Sequence, residues 1–190
     1  HTGVVLLYAS MAAYLIYRRA GLYKPGAIGR ILNGTLRRVL PSSVSIVSMV
    51  TMAVLMETSG MTDTLARGLA DSVGSLFPLV APWIGALGAF MTGSNTNSNV
   101  VFGALQLRTA SLLALNAAVI LAGQTAGAAL ASVLAPTKVV VGASTAGMAG
   151  KEGDVMRSLL VYTGLLVLLV SVLTLIVLVA LALSVVLGIE

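Results

Sequence analysis

A long run of apolar residues near the C-terminus, 159–189, contains no charged side chain. A helix needs roughly 20 consecutive apolar residues to cross the hydrocarbon core of a bilayer, and this run exceeds that requirement. Charged residues make up only 9% of the 190 residues, whereas a soluble domain carries roughly 25%. The chain therefore has too few polar side chains to cover a water-facing surface, and a soluble globular fold is excluded.

Further apolar segments alternate with polar or charged stretches. Because the backbone polar groups of a segment in lipid must be satisfied within the protein, these segments are predicted to be helices of an all-α integral membrane protein, a multi-pass helical bundle. The sequence predicts a truncated span over 1–17, spans over 40–56, 76–91 and 112–134, and a last span over 158–189. The acidic stretch 57–75 is predicted to be a loop.

Six of the eleven basic residues lie between positions 18 and 38. Ile28, Ile31, Leu32 and Leu36 recur there at helical spacing, which predicts an amphipathic connector in the membrane interface; a lipid-specific sensor is the alternative. Basic loops mark the cytoplasmic side, so the chain is assigned to the cytoplasmic membrane, with the lipid bilayer as a partner and 57–75 outside. Basic and aromatic residues are not interleaved, so no nucleic acid is expected as a partner.

The chain contains no cysteine, and its one histidine, His1, is the first residue. Cysteine-based metal and redox chemistry is excluded, and neither a cofactor nor a metal centre is expected. The sequence has no H-E-x-x-H or G-x-S-x-G motif, and the predicted spans contain no acid–base pair, which argues against an enzyme.

A polar, uncharged segment, Gly93–Asn99, lies between two apolar ones. Irregular or polar backbone at membrane depth occurs where it is buried in protein or lines a cavity, so 93–99 is predicted to break a helix inside the bundle. Hydroxyl and carboxamide groups donate hydrogen bonds, and the N-terminus of a helix over 100–107 would face them, which suits a small organic anion. The alternative is a short hydrophilic surface loop. The candidate ligands are Ser94, Asn95, Thr96, Asn97, Ser98 and Asn99.

Two further uncharged segments rich in small residues are candidates. Residues 123–127 are predicted to be a second break carrying Gln124 and Thr125, with a helix-packing face as the equally weighted alternative. Residues 136–150, which carry Ser144 and Thr145, are too short to span as a helix and are predicted to be re-entrant. Such broken elements fit a transporter built from repeats.

Two basic residues, Arg108 and Lys138, adjoin these segments. Either could attract an anion, and either could anchor a helix end at the interface; we favour anchoring for both.

Residues 89–99, followed by Phe102 and Leu105-Gln106, resemble the G-S-[D/N]-T-x-S-N…F…L-Q signature of the L-lactate permease family. The resemblance continues through 135–136 and 147–154 to an arginine and a last helix, and it includes 59–61. It covers about residues 40–190.

This resemblance implies a multi-pass permease that takes up lactate, and often glycolate, by symport with H⁺. Family chains are much longer, which implies that an N-terminal half of the same protein is missing. They are grouped with inverted-repeat transporters, so 39–190 would be the C-terminal transport half. On this likeness, Ser94, Asn95, Thr96, Ser98 and Asn99 would bind the substrate carboxylate or the coupling cation.

One position departs from the family pattern: Asn95 stands where many members carry Asp. If that acid relays a proton, Asn95 cannot do so, and another residue is needed. Related transporters use a Ser-Asn-Thr triplet at sodium sites, so Na⁺ at Ser94, Asn95 and Thr96 remains open. The rival hypotheses are a sodium-coupled carrier of di- or tricarboxylates and a structural membrane subunit.

Overall fold

The computed structural model describes residues 2–24 and 26–188, and all regular structure within them is helical. The all-α prediction is confirmed. The helices are α1 (Thr2–Arg19), α2 (Ala27–Thr58), α3 (Met61–Val73), α4 (Phe77–Thr92), α5 (Asn95–Leu112), α6 (Ala117–Ala131), α7 (Pro136–Thr145) and α8 (Glu152–Leu187). Short 3₁₀ turns, Gly74–Leu76 and Ser132–Leu134, precede α4 and follow α6.

The chain divides into two compact units, 1–45 and 46–190, with the division inside α2. In the first unit Tyr23 stacks on Tyr14, with ring centroids 5.4 Å apart, and meets Tyr17 edge-on at 6.1 Å. These contacts hold the connection between α1 and α2 against the end of α1. Pro25, in the predicted connector, and Ile189, in the last predicted span, lie outside the described residues.

The predicted span 40–56 is part of a longer helix, because α2 begins at Ala27 and continues through Pro41. Proline removes one backbone hydrogen bond from a helix interior and bends it, but a helix with otherwise favourable residues can continue past it. The predicted boundary at 38/39 therefore falls within a helix. Whether 18–38 lies in the membrane interface stays a prediction.

The predicted loop 57–75 is wrong, since most of it forms α3. Gly60 precedes this helix in the left-handed region, with a φ of 78°, and its carbonyl accepts from the Thr64 N–H. Asp63 and Arg67 form an i,i+4 ion pair on the exposed side, while Ala66 is buried. The acidic residues of this stretch led to the prediction of a loop, but most of it is a helix of which one side is packed against the bundle.

The second unit is a bundle built on α4, α5, α6 and α8. Ser98 contacts Gly85 and Gln106 contacts Ala81, so α5 runs antiparallel to α4. One core cluster joins the start of α4 to the start of α6 and to the later part of α8; it contains Phe77, Ala81, Ala110, Ile120 and Leu178. The other joins later residues of α4 and of the α6 region to an earlier residue of α8; it contains Ala86, Ala131, Leu134 and Val167. Therefore α6 runs parallel to α4, and α8 runs antiparallel to both.

Glycines let α4 and α6 cross with their main chains in contact. A Cβ added to Gly85 would lie 2.8 Å from Gln124 Cγ, and one added to Gly127 would lie 2.9 Å from Pro82 Cα. Close approach of backbones through small residues is the typical packing of membrane helices. The predicted break over 123–127 is wrong, because α6 is continuous there; the alternative, a packing face, is the observed role of Gly123 and Gly127.

The polarity of α8 is reversed relative to a soluble helix. Its buried positions include Thr163, Ser171 and Thr174, while Leu165 and Leu169 are more than half exposed. Large exposed apolar surfaces mark contact with lipid or partners in membrane proteins. Within the described residues, four helical stretches are long and apolar enough to cross a membrane: Ala27–Thr58, Met61–Thr92, Ala117–Leu134 and Glu152–Leu187.

Candidate functional site

The connection between α4 and α5 is a two-residue turn. Gly93 ends α4 in the left-handed region, with a φ of 71°, and Ser94 is the extended N-cap of α5. The Ser94 hydroxyl accepts from the Asn97 N–H at 3.3 Å. Residues 95–99 therefore form the first turns of α5, and the predicted irregular segment 93–99 is corrected to a break at 93–94 only. The serine cap lets the helix begin earlier than the apolar pattern indicated.

Ser98 connects the start of α5 to α4 through a buried hydrogen bond. Its side chain is fully buried, and its hydroxyl donates to the Gly85 carbonyl at 2.8 Å. Gly88 provides the space, since a Cβ there would lie 2.8 Å from the Phe102 ring. Ser98 is thus a packing residue that aligns its neighbour Asn99.

Asn99 brings two of the predicted segments together. Its Oδ1 accepts from Gln124 Nε2 at 3.0 Å and from the Thr125 hydroxyl at 3.4 Å. Gln124 is only 1% exposed, while Asn99 and Thr125 are half-buried. Residues about 25 positions apart in the chain, on α5 and α6, therefore share one hydrogen-bonded cluster.

Among the residues that the structure describes, three buried carboxamide oxygens have no hydrogen-bond partner: Asn95 Oδ1, Gln106 Oε1 and Gln124 Oε1. An unsatisfied buried acceptor costs about 1–3 kcal/mol, so each indicates a place where a donor or cation belongs. The orientation of Gln106 is fixed, because its Nε2 donates to the Ala81 carbonyl at 3.0 Å and that carbonyl can only accept.

Gln106 was not among the sequence candidates. The signal was present, since Asn95, Asn99 and Gln106 are spaced by four and seven residues and so lie on one helix face. Polar residues repeating at helical spacing within an apolar helix point to a face that is buried in protein.

Contacts with the long helix α8 show where Gln124 and the 93–94 turn lie along the length of the bundle. A Cβ on Gly123 would lie 2.6 Å from the Thr174 hydroxyl, and Thr174 is near the middle of the charge-free run on α8. Gln124, the next residue, therefore lies roughly 20 Å from either end of that run at 1.5 Å per residue. The 93–94 turn lies towards the start of α8, where Phe90 and Leu134 line a cavity with Leu160.

The other predicted site residues lie apart from this cluster. Thr96 is exposed and Asn97 is half-buried beside Ser94. Ser144 and Thr145 are exposed on α7, which packs on α8, and Thr145 donates to carbonyls of its own helix. Lys138 is exposed on α7. Their ligand roles stay predictions, as does the re-entrant character of 136–150, in which α7 is only ten residues long.

Arg108 points away from the cluster. Its Nε donates to Asp63 Oδ1, which ties α5 to α3 across 45 residues of sequence. Asp63 belongs to the acidic stretch 57–75, and no sequence pattern pairs it with Arg108, 45 residues further on. The two roles predicted for Arg108, helix anchoring and anion attraction, stay predictions.

The described cluster around Asn99 contains no ionisable side chain; it consists of hydroxyls, carboxamides and the N-terminus of α5. The first N–H groups of a helix lack intrahelical acceptors and carry the positive end of its dipole. The arrangement can thus offer both donors and unpaired acceptors to a small polar solute while adding no net charge.

An all-α bundle with apolar side chains outside and an uncharged polar cluster inside defines a helical integral membrane protein. The family model for L-lactate permease matches residues 1–181. The chain belongs to the L-lactate permease family, a family of transporters. The family resemblance drawn from the sequence is confirmed.

Several curated relatives are similar to this chain. The L-lactate permease of Salmonella typhi is 29% identical over 91% of this chain and 30% of its own length. The L-lactate permease of Bacillus subtilis is 33% identical over 77% of this chain and 26% of its length. Glycolate permease GlcA of Escherichia coli is 36% identical over 60% of this chain and 20% of its length. This chain thus spans about 30% or less of these relatives. No solved structure matches it.

Proposed function

We propose that this chain is the C-terminal transport half of a secondary active transporter, a multi-pass protein of the cytoplasmic membrane that carries a small 2-hydroxy monocarboxylate. The similarity to relatives named for L-lactate and glycolate supports this substrate class. Because the chain spans about 30% of such relatives, the remaining part of the transport path would come from the N-terminal part of the same protein.

The observation that carries the proposal is a pair of unpaired carboxamide oxygens in the first turns of α5 and beside them: Asn95 Oδ1 at the helix start, and Oε1 of Gln124, which is bonded to Asn99 one turn further on. A 2-hydroxy acid contains one group that accepts hydrogen bonds and one group that donates a hydrogen bond. Its carboxylate accepts hydrogen bonds, and the first backbone N–H groups of α5, at Asn95 and Thr96, can donate them. Its hydroxyl donates a hydrogen bond, and Asn95 Oδ1 and Gln124 Oε1 are unpaired acceptors.

The uncharged character of the cluster suits a substrate that must also leave. A buried arginine would bind a carboxylate strongly and would itself be costly to desolvate. Backbone dipoles and carboxamides give weaker, directional contacts. Transporter sites at broken helices commonly use half-helix N-termini for anionic groups.

H⁺ symport is the proposed coupling, in keeping with the family resemblance. The cluster around Asn99 offers no group that titrates near neutral pH, so the proton would be carried elsewhere in the protein. Na⁺ coupling is the second candidate, favoured by the unpaired oxygen of Asn95 beside Ser94 and Thr96, since carboxamide and hydroxyl oxygens are suitable ligands for a hard cation.

Uptake by the full-length permease in membrane vesicles tests the site. Asn95→Ala and Asn99→Ala are expected to reduce lactate uptake at least about tenfold, with insertion into the membrane unchanged, because each loses a substrate or cluster contact. Ser184→Ala, at a serine of α8 whose hydroxyl donates to the Leu181 carbonyl of its own helix, is the control and is expected to transport normally. If Asn99→Ala and Ser184→Ala transport equally well, the proposed site is wrong.

The same vesicles test the substrate and the ion. Glycolate should compete with lactate, and propionate, which lacks the hydroxyl, should compete weakly; strong competition by succinate would instead favour a dicarboxylate carrier. A dependence on the pH gradient supports H⁺ symport, and a requirement for Na⁺ supports the second candidate. The absence of any uptake would leave only a structural role.

A further inference from the structure

A charged cavity lies on the side of α5 facing away from the Asn99 cluster. It has a volume of about 390 Å³, and its lining combines polar and apolar residues from the end of α2, the start of α3 and the second half of α5. The lining residues are Glu57, Thr62, Asp63, Ala104, Leu107, Arg108 and Ser111.

Asp63 is shared by two arginines at this cavity. Its Oδ2 accepts from Arg67 Nε at 2.7 Å, and its Oδ1 accepts from Arg108 Nε at 2.5 Å. The Asp63 and Arg108 side chains are 38% and 47% exposed, and both line the cavity. Arg67 is a local i,i+4 partner on α3, whereas Arg108 belongs to the helix that also carries Asn95 and Asn99.

We propose that Asp63 and Arg108 form an exchange site in which the Asp63 carboxylate occupies the position that a substrate carboxylate takes during transport. When Asp63 binds a proton from the water in the cavity, its carboxylate becomes a neutral carboxyl group and releases Arg108. The guanidinium then binds the substrate carboxylate. No covalent bond to the substrate forms; loss of the proton and departure of the substrate restore the original pair.

The charge balance of the transport step favours this exchange. The charged groups around Asp63 are Glu57 from α2, Arg67 from α3 and Arg108 from α5, and Arg67 also interacts with Asp71. Protonation of Asp63 removes one negative charge from this group, and binding of a monocarboxylate restores it. One proton and one substrate anion therefore enter together without net charge.

Competition for Arg108 makes the coupling strict. While Arg108 holds the Asp63 carboxylate it cannot hold the substrate, and once the substrate occupies Arg108 the Asp63 carboxylate has lost that partner. A guanidinium presents several donors in a plane that matches a carboxylate, which makes the two anions direct competitors. Proton binding and substrate binding are thus each favourable only in the presence of the other.

The position of Arg108 links this exchange to the first site. Arg108 lies nine residues beyond Asn99 on the same helix, about 13 Å away at 1.5 Å per residue. Release of Arg108 from Asp63 removes the ionic tie between α3 and α5. The proton would thereby act on the helix that holds the substrate cluster, although Asn95 itself cannot carry it. This inference depends on the proposed monocarboxylate transport.

The test uses the full-length permease reconstituted in liposomes, with lactate as the substrate. Asp63→Asn copies the protonated residue and is expected to retain lactate exchange between equal concentrations while losing accumulation driven by a pH gradient. Asp63→Glu should keep both activities. Arg67→Gln is the matched control, since it removes the other partner of Asp63; it should keep gradient-driven accumulation.

Arg108→Gln provides a second and independent measurement. Losing a guanidinium–carboxylate contact is expected to raise the lactate KM about tenfold to a hundredfold. Gradient-driven accumulation by Asp63→Asn equal to the wild type, or an unchanged KM in Arg108→Gln, would overturn the exchange site. Absence of lactate transport by the wild-type protein would instead refute the proposed function, so the two failures are distinguishable.

Discussion

Gly127 of α6 lies directly on the main chain of Pro82 in α4, close enough that an added methyl group would be 2.9 Å from the Pro82 Cα. One turn away, Gly85 has the same relation to Gln124. The two helices are therefore in contact through their backbones, and this contact positions Gln124 beside Asn99.

Gly127→Ala should destabilise the bundle because the neighbouring atoms are main chain and cannot rotate away. Overpacking costs about 1–3 kcal/mol, and a clash with backbone belongs at the upper end of that range. Thermal unfolding of the purified protein in detergent measures the effect as a lower Tm.

Gly103→Ala is the control for this experiment. Gly103 also lies within a helix, α5, but a Cβ there meets nothing within 4 Å. The change should leave the unfolding free energy unchanged or raise it by up to about 1 kcal/mol, so Tm should not fall. Equal Tm values for the two variants would contradict the close crossing of α4 and α6.

Ser94 combines two roles that one pair of substitutions separates. Ser94→Ala removes the N-cap of α5 and should cost about 0.5–2 kcal/mol of unfolding free energy. Ser94→Asp keeps an N-cap acceptor and a favourable charge at the helix N-terminus, so the fold should be as stable as the wild type. The aspartate would nevertheless repel a carboxylate, and lactate uptake should be lost. Normal uptake by Ser94→Asp would argue that no anion approaches this helix end.

Gln106 is expected to tolerate an apolar side chain of similar length. Gln106→Met loses the bond from Nε2 to the Ala81 carbonyl but also removes the unpaired Oε1, so the unfolding free energy should change by less than about 1 kcal/mol. Gln106→Ala leaves a cavity at a fully buried position and should cost about 2 kcal/mol or more. Thermal unfolding distinguishes them. A large loss in Gln106→Met would mean that Oε1 has a partner in the intact protein.

Because the chain has no cysteine, single cysteines report access to water directly. Thr96→Cys is exposed beside the helix start and should react with a charged maleimide, more slowly when lactate is present. Ser171→Cys is fully buried and should not react. Leu165→Cys is exposed but faces outward from an apolar helix, and in lipid its thiol cannot ionise, so it should react poorly. Equal labelling of positions 96 and 171 would exclude this packing of α8.

Several helices were predictable from the long apolar runs in the sequence. The expected spans 76–91 and 158–189 correspond to α4 and α8, because lipid-facing sequence is continuous and needs no partner to be recognised. The error at 123–127 has a physical cause: glycine serves both helix breaks and close helix contacts. Only the position of Pro82 on another helix decides between them.

The candidate site was predicted in pieces. Ser94, Asn99 and Gln124 were recognisable as polar residues in apolar surroundings, but the bond between Asn99 and Gln124 joins residues on separate helices. The pairing of Asp63 with Arg108 is similarly non-local. A single sequence carries local patterns such as periodicity and capping, whereas these contacts depend on which faces of the helices meet.

The length of α8 has a consequence for the surrounding bilayer. With 36 residues it is about 54 Å long, whereas the stretch Ala117–Leu134, with 18 residues, is about 27 Å long and the hydrocarbon core is about 30 Å thick. Helices of such unequal length expose different hydrophobic thicknesses on different sides of one protein. α8 must tilt strongly or thicken the lipid beside it, at a free-energy cost that rises with each ångström of mismatch. Acyl-chain length in a reconstituted membrane is thus a physical variable that acts on this helix.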